Sequence, residues 1–415
     1  MALSTQQGTS VLRMRDLNRS AVLALIVRRG PIARVDIARH LGLAPATVTG
    51  LTRGLLKAGI IAKVDRAASR GGRPGELLAI VGSSAEALGV KLIADEVIGV
   101  RANLDGTLLE EFSAPFDASG ANPFTVLTDI LEPRIRGRSK GHPPLLGLGI
   151  GLPGFEDPAG SGIVQAPVLG WRHLPLGEHL ARVLDLPVLI DNDVNTLAMA
   201  ESLYGLGREL GSYLTVTLGR GIGLGIVING ELYRGARGAA GELGHVTVDA
   251  NGELCACGKR GCLETLVAEP ALVRKSRSIG MLGPEEGIAE LLGLAAAGDE
   301  RALSIYRCAG WALGLAVAGL AVVLNPEAIL VSGEGRRGWP YLARAFTTAF
   351  EANVFPPLAG TVRVRIDDWD HTKWALGAAA LVLRAPFATP MHGTPAIDQI
   401  RARLNIGFQV RQGEM

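Results

Sequence analysis

The spacing of apolar residues divides the chain into a short helical region and a longer region in which strands and helices alternate. Apolar residues recur at helical spacing over 20–27, and Gly30-Pro31 ends that predicted helix. A second helix is predicted over 34–40 and a third over about 45–57, with the tight turn Gly42-Leu43 between them. Two short helices joined by a glycine-containing turn are typical of a helix-turn-helix.

The third helix has a polar face and an apolar face. Val48, Leu51 and Leu55 are predicted to face the core, which leaves Thr47, Thr49 and Arg53 exposed. This exposed face is the one that would meet DNA. Such a helix places its side chains in the major groove, so we predict that these three residues contact the bases or the backbone.

A predicted hairpin follows the third helix. Its strands cover 59–64 and 77–80, and the basic, glycine-bent tip Arg70-Gly71-Gly72-Arg73-Pro74 joins them. Arg70 and Arg73 could therefore enter a narrow minor groove, where the potential is most negative. Helices and hairpin together predict a winged helix-turn-helix over residues 1–82.

The charge is distributed unevenly along the 415 residues. The overall formal charge is only +2, but residues 1–80 hold 13 Lys and Arg against 4 Asp and Glu, a net of +9. The remainder holds 29 basic and 36 acidic residues, a net of −7. The first region is therefore predicted to bind a polyanion, and the second is not.

From residue 87 onward the pattern alternates between strands and helices, which predicts an α/β body. A hairpin is expected over 88–93 and 97–102, and buried strands over 145–152, 188–192 and 213–218. Several of these strands run into glycine turns or into carboxylates and amides. Polar groups at strand ends are where such a sheet binds ligands.

One uncharged apolar stretch, Cys308 to Leu324, resembles a membrane span. It is 17 residues long and contains three glycines, so a buried core helix is expected instead. Residues 1–10 lack the pattern of a secretory leader. We expect a cytoplasmic protein with no membrane partner, whose reduced thiols remain available for metal.

Three of the four cysteines lie within eight residues, in the segment Cys255-Ala-Cys257-Gly-Lys-Arg-Gly-Cys262-Leu-Glu264. Gly244-His245 precedes this segment by nine residues. Cys255 and Cys257 are too close in sequence to form a comfortable disulfide, and three cysteines leave one unpaired. One histidine and three cysteines instead predict one structural Zn²⁺ per chain, bound by His245, Cys255, Cys257 and Cys262.

The same segment carries a family resemblance. Gly241-Glu-Leu-Gly-His245, followed by Cys-x-Cys-Gly-x-x-Gly-Cys-x-Glu, resembles the signature of the ROK family of bacterial sugar kinases and sugar-responsive repressors. The resemblance runs from about residue 18 to about 385. It implies an actin-like, ribonuclease-H-type body of two lobes with sugar between them, covering 83–200 (completed by about 372–390) and 201–371, with a tail over 391–415.

The resemblance also implies the sugar site. The residues that match sugar contacts of ROK kinases are Gly154, Asn192, Asp193, Glu242, His245 and Glu264. His245 would act twice, with one ring nitrogen on zinc and the other toward a sugar hydroxyl. The residues alone leave a second reading for Asn192 and Asp193, a capped strand-to-helix turn. Val168 stands where ROK sugar sites often have asparagine.

Two departures from the family pattern predict that the chain is not an enzyme. ROK kinases carry Asp-x-Gly-Gly-Thr after the first strand, and Lys91 stands here at the position of the aspartate. A Gly-Thr-Gly is expected in the second phosphate loop, and Gly219-Arg220-Gly221 is present. Without positioned ATP and metal, Asp193, which matches the catalytic base, cannot promote phosphoryl transfer.

The sequence therefore predicts a sugar-responsive transcriptional regulator, a repressor of carbohydrate-metabolism genes. Its expected partners are double-stranded operator DNA and a sugar or sugar-phosphate effector, and it would act as a homodimer or homotetramer. The alternatives are a bifunctional ATP-dependent sugar kinase with a fused DNA-binding domain, and a DNA-bound scaffold whose sugar cleft is vestigial.

Overall fold

The N-terminal 80 residues pack three helices against a small antiparallel sheet. The structure, a computed structural model, describes residues 11–66, 76–138, 141–158, 160–367, 370–387 and 394–404. The first elements are α1 (Val11–Arg29), β1 (Ile32–Ala33), α2 (Arg34–Leu41), α3 (Pro45–Lys57), β2 (Ile61–Arg66) and β3 (Glu76–Ile80). Strand β3 pairs with β1 on one side and β2 on the other. This is the arrangement of a winged helix.

A left-handed glycine and a compact apolar core fix this domain. Gly42 ends α2 with φ of 63°, a conformation that a residue with a side chain rarely adopts. Leu23, Ile37 and Leu78 are fully buried and bring α1, α2 and the sheet together. Helix α1 begins nine residues before the predicted apolar stretch, because charged residues interrupt the apolar period over those nine residues.

The chain divides into two compact units, residues 1–208 with 374–415 and residues 209–373. Within the described part of unit 1, a five-stranded sheet has the order β6-β5-β4-β7-β11, with β4, β7 and β11 parallel. The elements up to α6 are β4 (Glu86–Leu92), β5 (Glu96–Asn103), β6 (Leu108–Pro115), α4 (Pro123–Arg136), β7 (Leu145–Leu152), β8 (Phe155–Glu156), β9 (Val164–Ala166), β10 (Trp171–Leu174), α5 (Leu176–Leu184), β11 (Val188–Asn192) and α6 (Asp193–Tyr204).

Unit 2 repeats the same topology. Its described residues form a sheet of order β14-β13-β12-β15-β16, with β12, β15 and β16 parallel. The elements are β12 (Tyr213–Leu218), β13 (Ile222–Ile228), β14 (Glu231–Leu232), α7 (Glu264–Val267), α8 (Glu269–Ser278), α9 (Ile288–Ala296), α10 (Glu300–Leu324), β15 (Ala328–Ser332), α11 (Trp339–Asn353) and β16 (Arg363–Ile366). Two sheets with the same strand order and directions are what an actin-like, ribonuclease-H-type body requires.

After unit 2 the chain returns to unit 1 through α12 (Thr372–Arg384) and α13 (Pro395–Arg403). Helix α12 approaches the first sheet and α6 at backbone distance. A Cβ at Gly89 or Gly149 would collide with the backbone of α12, and a Cβ at Gly377 would collide with the carbonyl of Thr196. These glycines are therefore required by packing. The sequence pattern does not predict α13, whose Ile400 is fully buried.

Helix α10 contains the apolar stretch that resembles a membrane span. By length and composition it could cross a membrane, and 44% of its most apolar 18-residue window is buried. Its buried face packs on α11 and the second sheet, so it is also a core helix of unit 2.

Candidate functional site

Helix α3 presents the predicted DNA-contacting residues to solvent. Thr47, Thr49 and Arg53 are exposed, whereas Val48 and Leu55 are buried on the opposite face. The hydroxyl of Thr49 donates a hydrogen bond to the carbonyl of Pro45 over 2.8 Å. This bond satisfies the hydroxyl within the helix, and an exposed threonine methyl is a group that can make apolar contact with a thymine methyl.

Two glycines on the same face were not predicted as functional. Gly50 and Gly54 lie inside α3, and no atom of the described residues lies within 4 Å of a Cβ placed at either position. At 100° per residue, Gly50 falls between Arg53 and Thr47 in projection, opposite the buried face. Glycine weakens a helix interior, so packing alone gives no reason for this pair. They leave a flat strip of backbone on the exposed face.

The predicted wing arginines, Arg70 and Arg73, lie outside the residues that the structure describes. The strands that would carry the wing are present, and Lys63 of β2 pairs with Glu76 of β3 at 2.9 Å. Glu76 also accepts an ion pair from Arg34 at 3.3 Å. These pairs hold the open end of the hairpin beside α2.

The DNA-reading domain is joined to the body by two arginines. Arg28, in the last turn of α1, donates to the carbonyl of Arg208 at 3.2 Å. Arg208, which follows α6, donates back to the carbonyls of Val27 and Arg28 at 3.3 and 3.1 Å. The last carbonyls of a helix lack partners within the helix and attract cations. This reciprocal contact, here the arginine clasp, links α1 to the end of α6.

Unit 2 brings the four predicted metal ligands together. The donor atoms of His245, Cys255, Cys257 and Cys262 all lie within 4.8 Å of one another. The Cys257 and Cys262 sulfurs are 3.6 Å apart, and Cys255 Sγ is 3.6 Å from His245 Nδ1. A tetrahedral zinc ion with bonds of about 2.3 Å to sulfur separates neighbouring ligands by roughly 3.7 Å. The cluster therefore fits a metal ion.

The chemistry of the cluster also favours a cation. Burial raises the pKa of Cys255 to about 12, and burial also raises the pKa of Cys262. The backbone N–H of Lys259 lowers the pKa of Cys257. Thiols gathered in this way become ligands only as thiolates, and a metal ion supplies the positive charge that stabilises them.

Three predicted sugar residues lie beside this cluster in unit 2. His245 turns Nδ1 toward Cys255 and Glu264, whose Oε1 is 3.4 Å away. His245 Nε2 is 3.9 Å from Glu242 Oε2. The metal side of the ring is therefore Nδ1, and Nε2 faces the exposed carboxylate of Glu242. The double role predicted for His245 would then assign Nδ1 to the metal and Nε2 to a sugar hydroxyl.

The other three predicted sugar residues lie together in unit 1. Asn192 Nδ2 donates to the carbonyl of Gly154 over 3.1 Å. Asn192 Oδ1 accepts from the backbone N–H of Val194 at 2.9 Å and so caps α6. Asn192 thus performs the capping that the alternative reading gave to Asp193. One amide hydrogen of Asn192 is used by Gly154, and an amide carries two.

Lys91 makes contacts that sequence reasoning did not predict. Its ammonium lies 3.2 Å from Asp193 Oδ2 and 3.4 Å from the ring centroid of Trp374. Both charged side chains are mostly buried, at 12% and 14% exposure. Lys91 therefore neutralises the charge of Asp193.

The glycine-rich loop after β12 is also occupied by a side chain. The backbone N–H of Arg220 donates to Glu334 Oε1 over 3.1 Å, and Gly219 lies against the same carboxylate. Backbone N–H groups of glycine-rich loops are natural anion sites. Here the protein supplies the anion itself. Glu334 was not predicted, because its sequence neighbours carry no signal for this contact.

Comparison with known proteins identifies the body. Residues 116–385 match the ROK family model. The chain belongs to the ROK family. Residues 17–70 match the MarR family model, which agrees with the predicted winged helix-turn-helix ahead of the ROK body. The predicted ROK fold class is confirmed, both in its DNA-binding domain and in its actin-like body.

Relatives in the ROK family include repressors and kinases. A xylose repressor from Bacillus spizizenii is 26% identical over 371 residues, 89% of this chain and 96% of the repressor. A glucokinase from Halalkalibacterium halodurans is 34% identical over 292 residues, 67% of this chain and 88% of the kinase. A crystal structure described as a ROK family transcriptional regulator, a homolog of the E. coli MLC protein, has 26% identity and a TM-score of 0.79. The match spans 95% of this chain and all of that structure.

Proposed function

We propose that this protein is a sugar-responsive transcriptional repressor of carbohydrate-metabolism genes. The observation that carries the proposal is the joining of a winged helix to a ROK body in one chain. A xylose repressor matches this chain over 89% of its length, and a glucokinase over 67%. The coverage of the repressor is large enough to include the DNA-binding domain as well as the body.

In this proposal two copies read a near-palindromic operator. The α3 helices enter successive major grooves, and Thr47, Thr49 and Arg53 make the contacts there. Arg70 and Arg73 on the wing reach the minor groove, where arginine is favoured. The net charge of +9 over residues 1–80 supplies the salt-dependent part of the affinity.

The effector is a sugar or sugar phosphate, and its proposed contacts are the residues that match sugar contacts of ROK kinases. Unit 1 contributes Gly154, Asn192 and Asp193, and unit 2 contributes Glu242, His245 and Glu264. Carboxylates and amides suit vicinal hydroxyls, because a buried hydroxyl without a partner is costly. Zinc is the metal proposed for His245, Cys255, Cys257 and Cys262, in a cytoplasmic setting where thiols stay reduced. Its ligand cluster orients His245 for the sugar.

The same site lacks the means to transfer phosphate. Lys91 takes the place of the metal-linked aspartate and pairs with Asp193, so this carboxylate is held by a cation rather than poised as a base. Glu334 occupies the loop that would cradle phosphate. The negative charge of the Glu334 carboxylate in that loop repels an incoming phosphate. Asp193 is therefore proposed to accept a hydrogen bond from sugar and nothing more.

Helix α6 offers the route from sugar to DNA. It begins at Asp193, runs about 18 Å through buried residues, and ends four residues before Arg208. The arginine clasp then joins Arg208 to the last turn of α1. A sugar that draws Asp193 away from Lys91 shifts the start of α6, and the clasp carries that shift to the DNA-reading domain. Only a few kcal/mol of coupling are needed to change occupancy by orders of magnitude.

The experiment that tests the proposal is fluorescence anisotropy with DNA from the region upstream of the protein's own gene, titrated with free and phosphorylated sugars. Specific binding at physiological salt, released by one sugar, is the expected result. Tight binding that no sugar changes, with no heat of sugar binding in calorimetry, would favour a vestigial cleft. Sugar-dependent ADP release from ATP would support the kinase and contradict the repressor reading of Lys91.

A further inference from the structure

The carboxyl edge of the first sheet holds a mostly buried ion pair beside the predicted sugar contacts of unit 1. Strands β4, β7 and β11 are parallel neighbours, and their register places both Lys91 and Asp191 opposite Gly151. Asp193 follows β11 directly and begins α6. Sheets of this kind bind ligands at this edge, so the charges here bear on which sugars unit 1 accepts.

The first amide groups of α6 are already bound by side chains. Asn192 Oδ1 accepts from the backbone N–H of Val194 at 2.9 Å and from that of Asn195 at 3.4 Å. Asp193 Oδ1 accepts from the same N–H of Val194 at 2.9 Å. A helix N-terminus binds phosphate through such N–H groups. An incoming phosphate would therefore have to displace both side chains, one of which carries a negative charge.

The ammonium of Lys91 is engaged in the same way. It lies 3.2 Å from Asp193 Oδ2 and 3.4 Å from the ring centroid of Trp374, which is only 4% exposed. An aromatic face attracts a cation, so the carboxylate and the ring hold the ammonium from two sides. A ligand oxygen bonded to this ammonium at about 2.9 Å would lie within roughly 6 Å of Asp193 Oδ2. A phosphate that used the cation would thus approach the carboxylate as well.

Asp191 adds a second negative charge at this edge. It is buried, and its Oδ1 accepts hydrogen bonds from the backbone N–H of Asn192 and from Asn195 Nδ2, both at 2.8 Å. Lys91, Asp191 and Asp193 together carry one positive and two negative formal charges, a net of −1. This balance disfavours an anionic ligand, although a lysine is present.

We propose that the Lys91–Asp193 pair acts as a charge filter, which admits uncharged sugars to unit 1 and rejects sugar phosphates and sugar acids. A hydroxyl both accepts and donates a hydrogen bond, so it can bond to the ammonium and to the carboxylate without adding charge. An anion satisfies the lysine only and is repelled by the aspartate. Lys91 is therefore a specificity-determining residue. This inference rests on the proposed function, since it names the chemical class of the effector at the same site.

Isothermal titration calorimetry of the full-length protein tests the charge filter directly. The probes are glucose, mannose, N-acetylglucosamine and xylose, each compared with the phosphate ester of its terminal hydroxyl. For any sugar that binds, the phosphate ester should bind about tenfold or more weakly, because like charges placed side by side are strongly unfavourable. A phosphate ester that binds as tightly as its parent sugar, or more tightly, would overturn the charge filter.

Two substitutions separate the effect of charge from that of shape. Asp193→Asn keeps the size of the side chain and removes the carboxylate, so the ratio of phosphate-ester affinity to sugar affinity should rise about tenfold or more. Adding Lys91→Met to this variant removes the unpaired cation and should return the ratio toward that of the wild type. A merely structural role would weaken both ligands of each pair and leave their ratio unchanged.

The winged helix offers matched controls for these variants. Lys63→Met and Glu76→Gln remove the same charges from a lysine–carboxylate pair of 2.9 Å that lies outside the sugar site. Both should leave the affinity ratio unchanged. A ratio that shifted equally in the controls would assign the effect to the net charge of the protein and would overturn the role of Lys91.

The outcomes also separate the charge filter from the proposed function. A protein that a sugar phosphate releases from its operator would keep the proposed function and overturn the charge filter alone. A folded protein that binds neither these sugars nor their phosphates would contradict the sugar-responsive function, and the charge filter with it. An unchanged ratio in Asp193→Asn, with the circular dichroism of the wild type, would show that the ion pair does not select the ligand. A raised ratio that the double variant reverses is the result that supports it.

Discussion

Replacing Gly50 by alanine in helix α3 should make the protein more stable and a poorer DNA binder. Alanine is favoured over glycine in a helix interior by about 1 kcal/mol, and the added methyl meets no described atom within 4 Å. For a unit of this size, about 1 kcal/mol raises the apparent melting temperature by roughly 2–4 °C. The gain should appear in thermal unfolding followed by circular dichroism.

On DNA the same methyl group lies between Arg53 and Thr47 in projection, on the strip that faces the groove in our proposal. Losing one good contact there costs about 1–3 kcal/mol, which corresponds to a fall in affinity of roughly 5- to 150-fold. Fluorescence anisotropy titrations at a fixed salt concentration measure this loss of DNA affinity directly. Gly54→Ala, one turn further along, should behave in the same way.

Gly293→Ala in α9 is the matched control, since Gly293 is also an exposed helix glycine with open space at its Cβ position. It should raise stability by a similar amount and leave DNA affinity unchanged. If Gly50→Ala binds DNA as tightly as the wild type while gaining stability, the glycine strip does not face DNA. In that case the placement of α3 in the groove is wrong.

Three further predictions concern charge, coupling and metal. Arg53→Ala should lower DNA affinity. If Arg53 contacts phosphate, the substitution should also reduce the slope of the logarithm of the DNA-binding constant against the logarithm of the salt concentration by about 1. An unchanged affinity would show that Arg53 does not contact DNA. Arg208→Ala should leave the sugar dissociation constant, measured by calorimetry, unchanged, but sugar should no longer release the protein from DNA. If sugar still releases DNA as in the wild type, the arginine clasp does not carry the signal from sugar to the DNA-binding domain. Cys257→Ser should lose the one zinc ion per chain that plasma mass spectrometry would measure in the wild type, and sugar should no longer release this variant from DNA. If sugar releases the metal-free variant normally, the cluster does not have the role proposed for it.

The sequence predicted local elements well wherever a strong period or a turn residue was present. Helix α3 begins and ends at the expected residues, since Pro45 suits a first turn and the apolar residues after it keep a helical period. The metal cluster was predictable for a different reason. Ligand chemistry restricts the spacing of cysteine and histidine so strongly that four residues suffice.

Contacts between distant segments were not predictable from the chain. Nothing near Lys91 in sequence indicates that its ammonium lies between Asp193 and Trp374, because those partners are 102 and 283 positions away. The arginine clasp joins residues separated by 180 positions. The role of the glycines in β7 was not predictable either. The sequence predicted the strand but gave no reason for its glycines, whereas in the structure Gly149 is required by the backbone of α12.

The return of α12 to the first sheet has a consequence for the order in which the chain can be completed during synthesis. Unit 2 is continuous in sequence, so all of its residues have been synthesised before Trp374 is added. Unit 1 must wait for α12, because Gly89 and Gly149 leave furrows in its sheet that only this helix fills. Until then the sheet offers an apolar face to solvent, and a chain stopped at the end of unit 2 would keep that face open to aggregation.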